Sequence, residues 1–283
     1  MFHINNKMKM KMNIDIGNNK RDENYTSLQK LSMINKKQIV QSLAPIQMPQ
    51  KVVLQPPSNK YRDEIITQGF ILLENFFPKE DLINCKNKII DYISNNECIK
   101  NGEGLTIPNF IKIPQLEDVA NIKNNSKLNK ILENILSKNY RFCQHNDIGV
   151  NRQVKWHKDK LNGNYSKYET IDIWSKYQGE QHEIVKVLIY LEDHSNDDNA
   201  LKIVPKSHMQ REIVTDKFVQ LKPKLGDVII IDQRITHRGA ENTYGDYRIL
   251  ISFGFCKNNI FTDNFEKGTV MRQNDQNKYR KQI

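Results

Sequence analysis

His157 and Asp159 stand two residues apart in the segment Lys155–Lys160, and this pair constrains the fold more than any other feature. On an extended backbone the side chains alternate between two faces, so this imidazole and this carboxylate point the same way. Together they supply two of the three ligands of a 2-His-1-carboxylate site, the arrangement that suits non-haem Fe(II). A single His-x-Asp pattern also arises by chance, so the metal hypothesis depends on a third ligand.

Four later histidines are candidates for that ligand: His182, His194, His208 and His237. The first two lie in polar, loop-like stretches and are expected to be solvated. The third closes the turn-like segment Pro205-Lys-Ser-His, where a structural hydrogen bond is the more ordinary role. His237 differs from them, because it follows an apolar strand predicted over Val228–Ile231 and precedes a second strand that begins at Arg248.

Arg248 lies eleven residues beyond His237 and begins the otherwise apolar run Arg-Ile-Leu-Ile-Ser-Phe-Gly-Phe. A guanidinium on a buried strand needs an acceptor, and its planar fork of donors matches a carboxylate bidentately. That carboxylate belongs either to a ligand or to a buried Asp or Glu of the protein. The sequence leaves both alternatives open.

The hydrophobic pattern predicts a mainly β domain with flanking helices. Helical spacing is visible over Lys60–Thr67, from Pro78 to Ile93, and over Ser126–Ser137. Short strands are predicted over Gly69–Asn75, Tyr140–His145, Val150–Trp156, Glu183–Leu191, Ala200–Val204, Asp227–Ile231 and Arg248–Cys256. Strands of this spacing with no helices between them favour a β-sandwich or barrel over parallel βαβ repeats.

The formal net charge of +10 is carried by the two ends of the chain. Residues 1–60 hold ten Lys and Arg against three Asp and Glu, and residues 266–283 hold five against two. The remaining residues hold 28 of each sign and are neutral. No helix-turn-helix, zinc-finger or RNP pattern accompanies the basic ends, so specific nucleic-acid binding is not expected.

These composition shifts divide the chain into three parts. Residues 1–58 are predicted to be a flexible basic leader, residues 59–260 the folded domain, and residues 261–283 a polar basic tail. The four cysteines are widely spaced, and no apolar run reaches the length of a membrane span. Both observations favour a reducing, cytoplasmic setting.

Taken together, the motifs resemble the phytanoyl-CoA dioxygenase family of Fe(II)/2-oxoglutarate oxygenases. The resemblance rests on His157-x-Asp159, Leu201-Lys-Ile-Val-Pro-Lys-Ser-His208, Gly226-Asp227, and His237 with Arg248 eleven residues on. The segment from Gly69 to Leu82 is also similar to the start of the family domain. The resemblance covers residues 60–258.

The resemblance implies a double-stranded β-helix, or jelly roll, of the cupin-like kind. In it, His157, Asp159 and His237 would hold Fe(II), Arg248 would bind the C5 carboxylate of 2-oxoglutarate, and O2 would be the second cosubstrate. Halogenating relatives lack the carboxylate ligand, so Asp159 implies hydroxylation or another C–H oxidation such as desaturation.

Further contacts to 2-oxoglutarate or substrate are expected from Lys186, Lys155 and Gln153, with an outward, solvated side chain as the alternative for each. Trp174 is the predicted substrate contact, and it lies in the polar loop Leu161–His182. This loop is predicted to be the lid, and its polar character favours a small polar substrate. Two other functions stay open. One is a catalytically idle jelly-roll binding module, and the other is an oxygenase acting on a macromolecule recruited by the basic tails.

Overall fold

A computed structural model describes residues 59–101, 104–174, 183–195, 200–239 and 247–280. The predicted leader over 1–58 and residues 175–182 of the predicted lid, including His182, lie outside this part of the chain. Within it, no helix is both long enough and apolar enough to cross a bilayer.

The helices and strands follow the predicted order. The helices are α1 (Lys60–Gln68), α2 (Lys79–Asn95), α3 (Glu117–Asn121), α4 (Ser126–Leu136) and α5 (Ile260–Arg280). The strands are β1 (Phe70–Leu73), β2 (Ile99–Asn101), β3 (Gly104–Pro108), β4 (Tyr140–Val150), β5 (Ile184–Tyr190), β6 (Lys202–Ile203), β7 (Val219–Gln220), β8 (Val228–Asp232), β9 (His237–Arg238) and β10 (Ile249–Lys257). The three predicted helices are confirmed.

Two antiparallel sheets form the core. The larger has the strand order β1-β8-β5-β10-β4-β3-β2, and the smaller has the order β7-β6-β9. An apolar cluster joins β5 and β8 of the large sheet to β6 of the small one, and its buried members are Leu188, Tyr190, Leu201, Ile203, Ile229, Ile231 and Ile235. Two antiparallel sheets packed in this way are the predicted jelly roll, and the mainly β class is confirmed.

Alternation along β10 gives the two faces of the large sheet different roles. Ile249, Ile251 and Phe253 are fully buried in the main core, which also contains the apolar stripes of α2 and α4. Leu250 and Ser252 point the other way and line a cavity. The period of two thus separates a packed face from a face that is available for ligands.

The predicted strand over Val150–Trp156 is wrong. β4 runs from Tyr140 to Val150, with a shift in its pairing register opposite Phe253–Phe255, and ends there. Asn151 adopts a left-handed conformation with φ 51°, and its N–H donates to the Arg248 carbonyl at 2.9 Å. The backbone leaves the sheet at this residue, and the segment from there to His157 is irregular.

The end of the chain differs from the predicted tail, because residues 260–280 form helix α5. Phe265, Thr269 and Gln273 recur every four residues and are at most 2% exposed. The Gln273 side-chain amide donates to the Gln144 carbonyl at 2.9 Å, and the Tyr165 hydroxyl donates to Asp275 at 2.6 Å. Thr262 and Gly268 of this helix are buried as well, so Phe265 is the only large apolar residue among its buried positions in the described range. Hydropathy alone therefore gives little sign of this face.

We expect Phe265→Ala to lower the free energy of unfolding by roughly 3–5 kcal/mol, because it leaves a cavity beneath α5. Ile260→Ala on the same helix is the matched control, since Ile260 is 67% exposed. That variant should change stability by less than about 0.5 kcal/mol. Urea unfolding of both variants measures the difference, and equal effects would contradict the packing of α5 as part of the domain.

Candidate metal centre

The structure brings His157, Asp159 and His237 together, and one ligand atom from each lies within 4.8 Å of the other two. The Nε2 atoms of His157 and His237 lie 3.5 and 3.7 Å from the two carboxylate oxygens of Asp159. Metal–ligand bonds of roughly 2 Å allow ligand atoms about 3–4 Å apart on one ion. The spacing therefore fits a single metal ion with small adjustments.

Backbone pairing holds the two imidazoles next to each other. His157 and His237 form an isolated antiparallel bridge, in which each N–H donates to the other residue's carbonyl at 2.9 Å. Their ring centroids lie 4.2 Å apart. Since β9 is anchored to β6, the bridge fixes His157 although the segment before it is irregular.

Hydrogen bonds also set the tautomer of both rings. His157 Nδ1 lies 2.8 Å from the Lys155 carbonyl, and His237 Nδ1 lies 3.1 Å from the Ile235 carbonyl. A carbonyl oxygen only accepts, so each Nδ1 carries the proton and donates it. The lone pair of each Nε2 is therefore directed at the shared centre, as metal-binding histidines require.

Electrostatics keep two of the ligands, His237 and Asp159, in their metal-binding protonation states. Burial lowers the pKa of His237 to about 4, and the nearby carboxylate only partly offsets this. Burial would raise the pKa of Asp159, but Lys186, 2.9 Å away, and both imidazoles hold it well below its usual range. At neutral pH the site thus offers a neutral imidazole and a charged carboxylate.

Arg248 faces the same cavity as the triad. One of its Nη atoms donates to the Arg152 carbonyl at 2.7 Å. Across the described ranges, no Asp or Glu forms an ion pair with its guanidinium. A direct ion pair with a buried Asp or Glu is therefore not formed in this part of the chain, although the Glu192 carboxylate is near enough to interact with the charge of Arg248. Donors of the fork are available to a ligand carboxylate.

The other predicted site residues are divided between the cavity and the surface. Lys186 lines the cavity through its contact with Asp159. Gln153 and Lys155 are exposed and are not part of its wall, whereas Val154 is. Trp174 lines a separate cavity, and the Nζ of Lys158 lies 5.0 Å from the centre of its ring.

The remaining described histidines do not join the triad. His208 is buried in a turn, where its Nε2 lies 2.9 Å from the Ile66 carbonyl, in agreement with the structural role predicted for it. His194 was expected to be solvated, but it is 6% exposed and packs edge-on against Tyr190 at 4.9 Å. The prediction that His194 is solvated, which was based on its polar sequence context, is therefore wrong.

Sequence reasoning missed several polar residues of the cavity wall, and four of them form one group. His145 and Asp147 come from β4, and Thr269 and Arg272 come from α5. His145-x-Asp147 has the same two-residue spacing as the metal-binding pair, and that spacing within a strand was the available signal. Nothing in the sequence indicated that α5 would lie beside it.

Three buried histidines, His145, His208 and His237, are expected to make the metal-free protein less stable in acid. Burial lowers the pKa of each, whereas an unfolded histidine titrates near about 6.5. Below that pH the unfolded chain binds more protons, so this stability is present above about pH 6.5 and is lost as the pH falls toward the folded pKa values. The loss should reach up to about 1.4 kcal/mol per histidine per pH unit.

Urea unfolding of chelator-treated protein across this pH range measures the effect. His208→Gln removes one of the three groups without touching the triad, so it should make the pH dependence shallower. An unfolding free energy that stays constant as the pH falls would contradict the assignment of these histidines as neutral.

A sequence profile of the phytanoyl-CoA dioxygenase (PhyH) family matches residues 108–250, half of the chain. The chain belongs to this family. The matched range holds all three triad residues and Arg248, whereas α5 lies beyond it. No curated protein sequence matches this PhyH-family chain significantly.

Solved structures of related fold support the architecture of this PhyH-family protein. HygX from Streptomyces hygroscopicus, crystallised with nickel, 2-oxoglutarate and hygromycin B, has a TM-score of 0.54 at 14% identity, covering 68% of this chain and 84% of its own. The non-heme alpha-ketoglutarate-dependent carbocyclase SnoK has 0.54 at 14%, with 71% and 84% covered. The corresponding epimerase SnoN has 0.53 at 11%, with 70% and 81% covered. At these identities the likeness shows a shared fold.

Proposed function

We propose that this PhyH-family protein is an Fe(II)- and 2-oxoglutarate-dependent dioxygenase. Its reaction would hydroxylate a C–H bond of a small polar molecule and release succinate and CO2. The observation that carries the proposal is the convergence of two histidine Nε2 atoms and one carboxylate on a single point. An arginine with no carboxylate partner in the described ranges faces the same cavity.

The donor set fits ferrous iron. Two neutral imidazoles and one charged carboxylate are the ligands of the facial triad in non-haem Fe(II) oxygenases. His157, Asp159 and His237 would hold the ion. Bound there, iron would activate O2 with 2-oxoglutarate as the reductant and so oxidise a neighbouring C–H bond.

Arg248 would bind and orient the cosubstrate. Its guanidinium can hold the C5 carboxylate with two parallel hydrogen bonds, which fixes direction as well as affinity. Lys186 would keep the charge of Asp159 balanced in a buried setting, because its Nζ lies 2.9 Å from that carboxylate. Gln153 and Lys155 have no part in this proposal, since both are exposed outside the cavity wall.

Hydroxylation is the finer part of the proposal. The structural neighbours include a carbocyclase and an epimerase that depend on alpha-ketoglutarate, so this fold supports other outcomes with the same cosubstrate. We propose hydroxylation because the carboxylate ligand Asp159 is in place, which the resemblance to the family associates with C–H oxidation. Mass analysis of the product would reveal desaturation, epimerisation or ring closure instead.

The function is tested by following 2-oxoglutarate labelled at C1 in the presence of Fe(II), ascorbate and a panel of small metabolites. We expect O2-dependent release of labelled CO2 that at least one metabolite increases. The Asp159→Ala protein should show none. Equal release by the wild type and this variant across the panel would overturn the proposal and favour an idle binding module.

A further inference from the structure

One end of the cavity carries a polar cluster that the proposed reaction does not use. It consists of His145 and Asp147 from β4 and Thr269 and Arg272 from α5, and we call it the β4–α5 cluster. Asp147 lies opposite Ser252 in the sheet, four residues along β10 from Arg248. At about 3.4 Å per residue, the cluster lies roughly 13 Å from the arginine along the strand.

Polar atoms of this cluster are buried without hydrogen-bond partners. His145, Asp147 and Thr269 are 7%, 8% and 0% exposed. In the described ranges, no partner is found for His145 Nδ1, Asp147 Oδ1, Thr269 Oγ1 or the Nε and Nη2 of Arg272. Native proteins rarely leave such atoms unpaired, so several of them in one cavity wall indicate a ligand.

The cluster contains one carboxylate, Asp147, and one guanidinium, Arg272, and these two charges are too far apart to form a hydrogen-bonded ion pair. Arg272 Nη2 lies 3.9 Å and His145 Nε2 lies 3.7 Å from Asp147 Oδ2, and both distances exceed a hydrogen bond. Burial opposes the charge of Asp147, but His145, Arg272 and Lys186 hold its pKa below the usual range. Burial lowers the pKa of His145, so that ring is neutral.

We propose that the β4–α5 cluster binds the head group of the substrate, and that this head group is a zwitterion of the α-amino-acid type. This inference rests on the proposed function. The ammonium group would bind Asp147, and the carboxylate would bind Arg272, with the Thr269 hydroxyl and the His145 ring completing the hydrogen bonds. A hydrocarbon chain would leave all these atoms unpaired, and a polyol would satisfy the hydrogen bonds without neutralising either charge.

This arrangement divides the cavity along its length. Arg248 would take the cosubstrate, the triad lines the same cavity, and the β4–α5 cluster would hold the substrate. Two of the four residues of the β4–α5 cluster come from α5, and this helix lies outside the range matched by the family profile. The C-terminal helix is thus a specificity element in addition to its packing role.

Anaerobic protein loaded with Fe(II) and 2-oxoglutarate tests the proposal. Each proteinogenic L-amino acid, and as a comparison set glucose, mannitol and myo-inositol, is titrated while the visible spectrum and the heat of binding are recorded. We expect at least one amino acid to bind saturably. Asp147→Asn and Arg272→Gln should each weaken that binding by at least about tenfold, because each removes one partner of a buried charge pair.

Two further variants separate binding from folding. Arg272→Lys keeps the charge and should retain part of the affinity. Arg211→Gln removes an arginine that is 65% exposed and paired with Asp172, so it should leave the affinity unchanged. Binding of the polyol set alone, binding of neither set, or binding that is indifferent to Asp147→Asn and Arg272→Gln would overturn the inference. A spectrum that shows no 2-oxoglutarate complex before any titration would instead count against the proposed function.

Discussion

Replacing His237 by alanine is expected to abolish 2-oxoglutarate turnover and to remove most of the bound iron. His237 supplies one of three protein ligands, and its Nε2 faces Asp159 at 3.7 Å from a buried position. Loss of the metal removes several kcal/mol of catalytic stabilisation, or about three orders of magnitude in rate. Iron content by elemental analysis and CO2 release from labelled 2-oxoglutarate measure both effects.

His208→Ala is the matched control, because it also removes a buried imidazole but lies in a different cavity wall. It should lower stability while the folded fraction keeps its iron and its turnover. Equal loss of iron in the two variants, or full turnover without the His237 side chain, would contradict the assignment of His237 as a ligand.

The second large effect is expected from Arg248→Gln, which should raise the KM for 2-oxoglutarate by roughly 10²-fold. The substitution removes a charged fork that can bind a carboxylate with two hydrogen bonds, and such a loss costs about 2–5 kcal/mol. Iron content should stay close to that of the wild type, because Arg248 does not contact the triad. Steady-state kinetics over a range of 2-oxoglutarate concentrations measure the change.

Arg248→Lys refines this prediction. A lysine keeps the positive charge but presents a single ammonium group in place of the planar fork, so it should give an intermediate KM. Thermal unfolding of both variants checks that loss of the hydrogen bond to the Arg152 carbonyl leaves the fold intact. An unchanged KM in Arg248→Gln would show that the cosubstrate carboxylate binds elsewhere.

Local patterns were enough to predict the centre of the site. His157 and Asp159 point the same way because Lys158 between them points the other way, where its Nζ donates to the Ser207 and Arg234 carbonyls at 2.6 and 2.8 Å. Arg248 was recognisable as a candidate ligand-binding residue, because it is the one charged residue at the start of an apolar run. Both inferences depend on the period of two, which holds wherever the chain is extended.

The period of two gave wrong side-chain directions where the chain leaves the sheet. Gln153 and Lys155 were placed on the face of His157 by counting back along a strand that ends at Val150. The left-handed conformation of Asn151 interrupts that count, so Val154 lines the cavity in their place. A single backbone dihedral angle is not visible in residue composition.

The packing of α5 against β4, which are distant in the sequence, was the other feature that could not be predicted. α5 reads as a polar tail, because its buried face includes Thr269 and Gln273 and these residues are ordinary on a surface. Their burial depends on β4, more than a hundred residues earlier in the chain. For the same reason, Asp147 and Arg272 could not be recognised as neighbours from the sequence.

We propose that one ferrous ion binds between His157, Asp159 and His237 and that 2-oxoglutarate binds beside it. The most direct test of this proposal is an anaerobic titration of the metal-free protein with Fe(II) and then 2-oxoglutarate, followed in the visible range. A weak charge-transfer band should appear in the wild type and be absent after Asp159→Ala combined with His237→Ala. No band in the wild type, or an undiminished band in the double variant, would contradict the account.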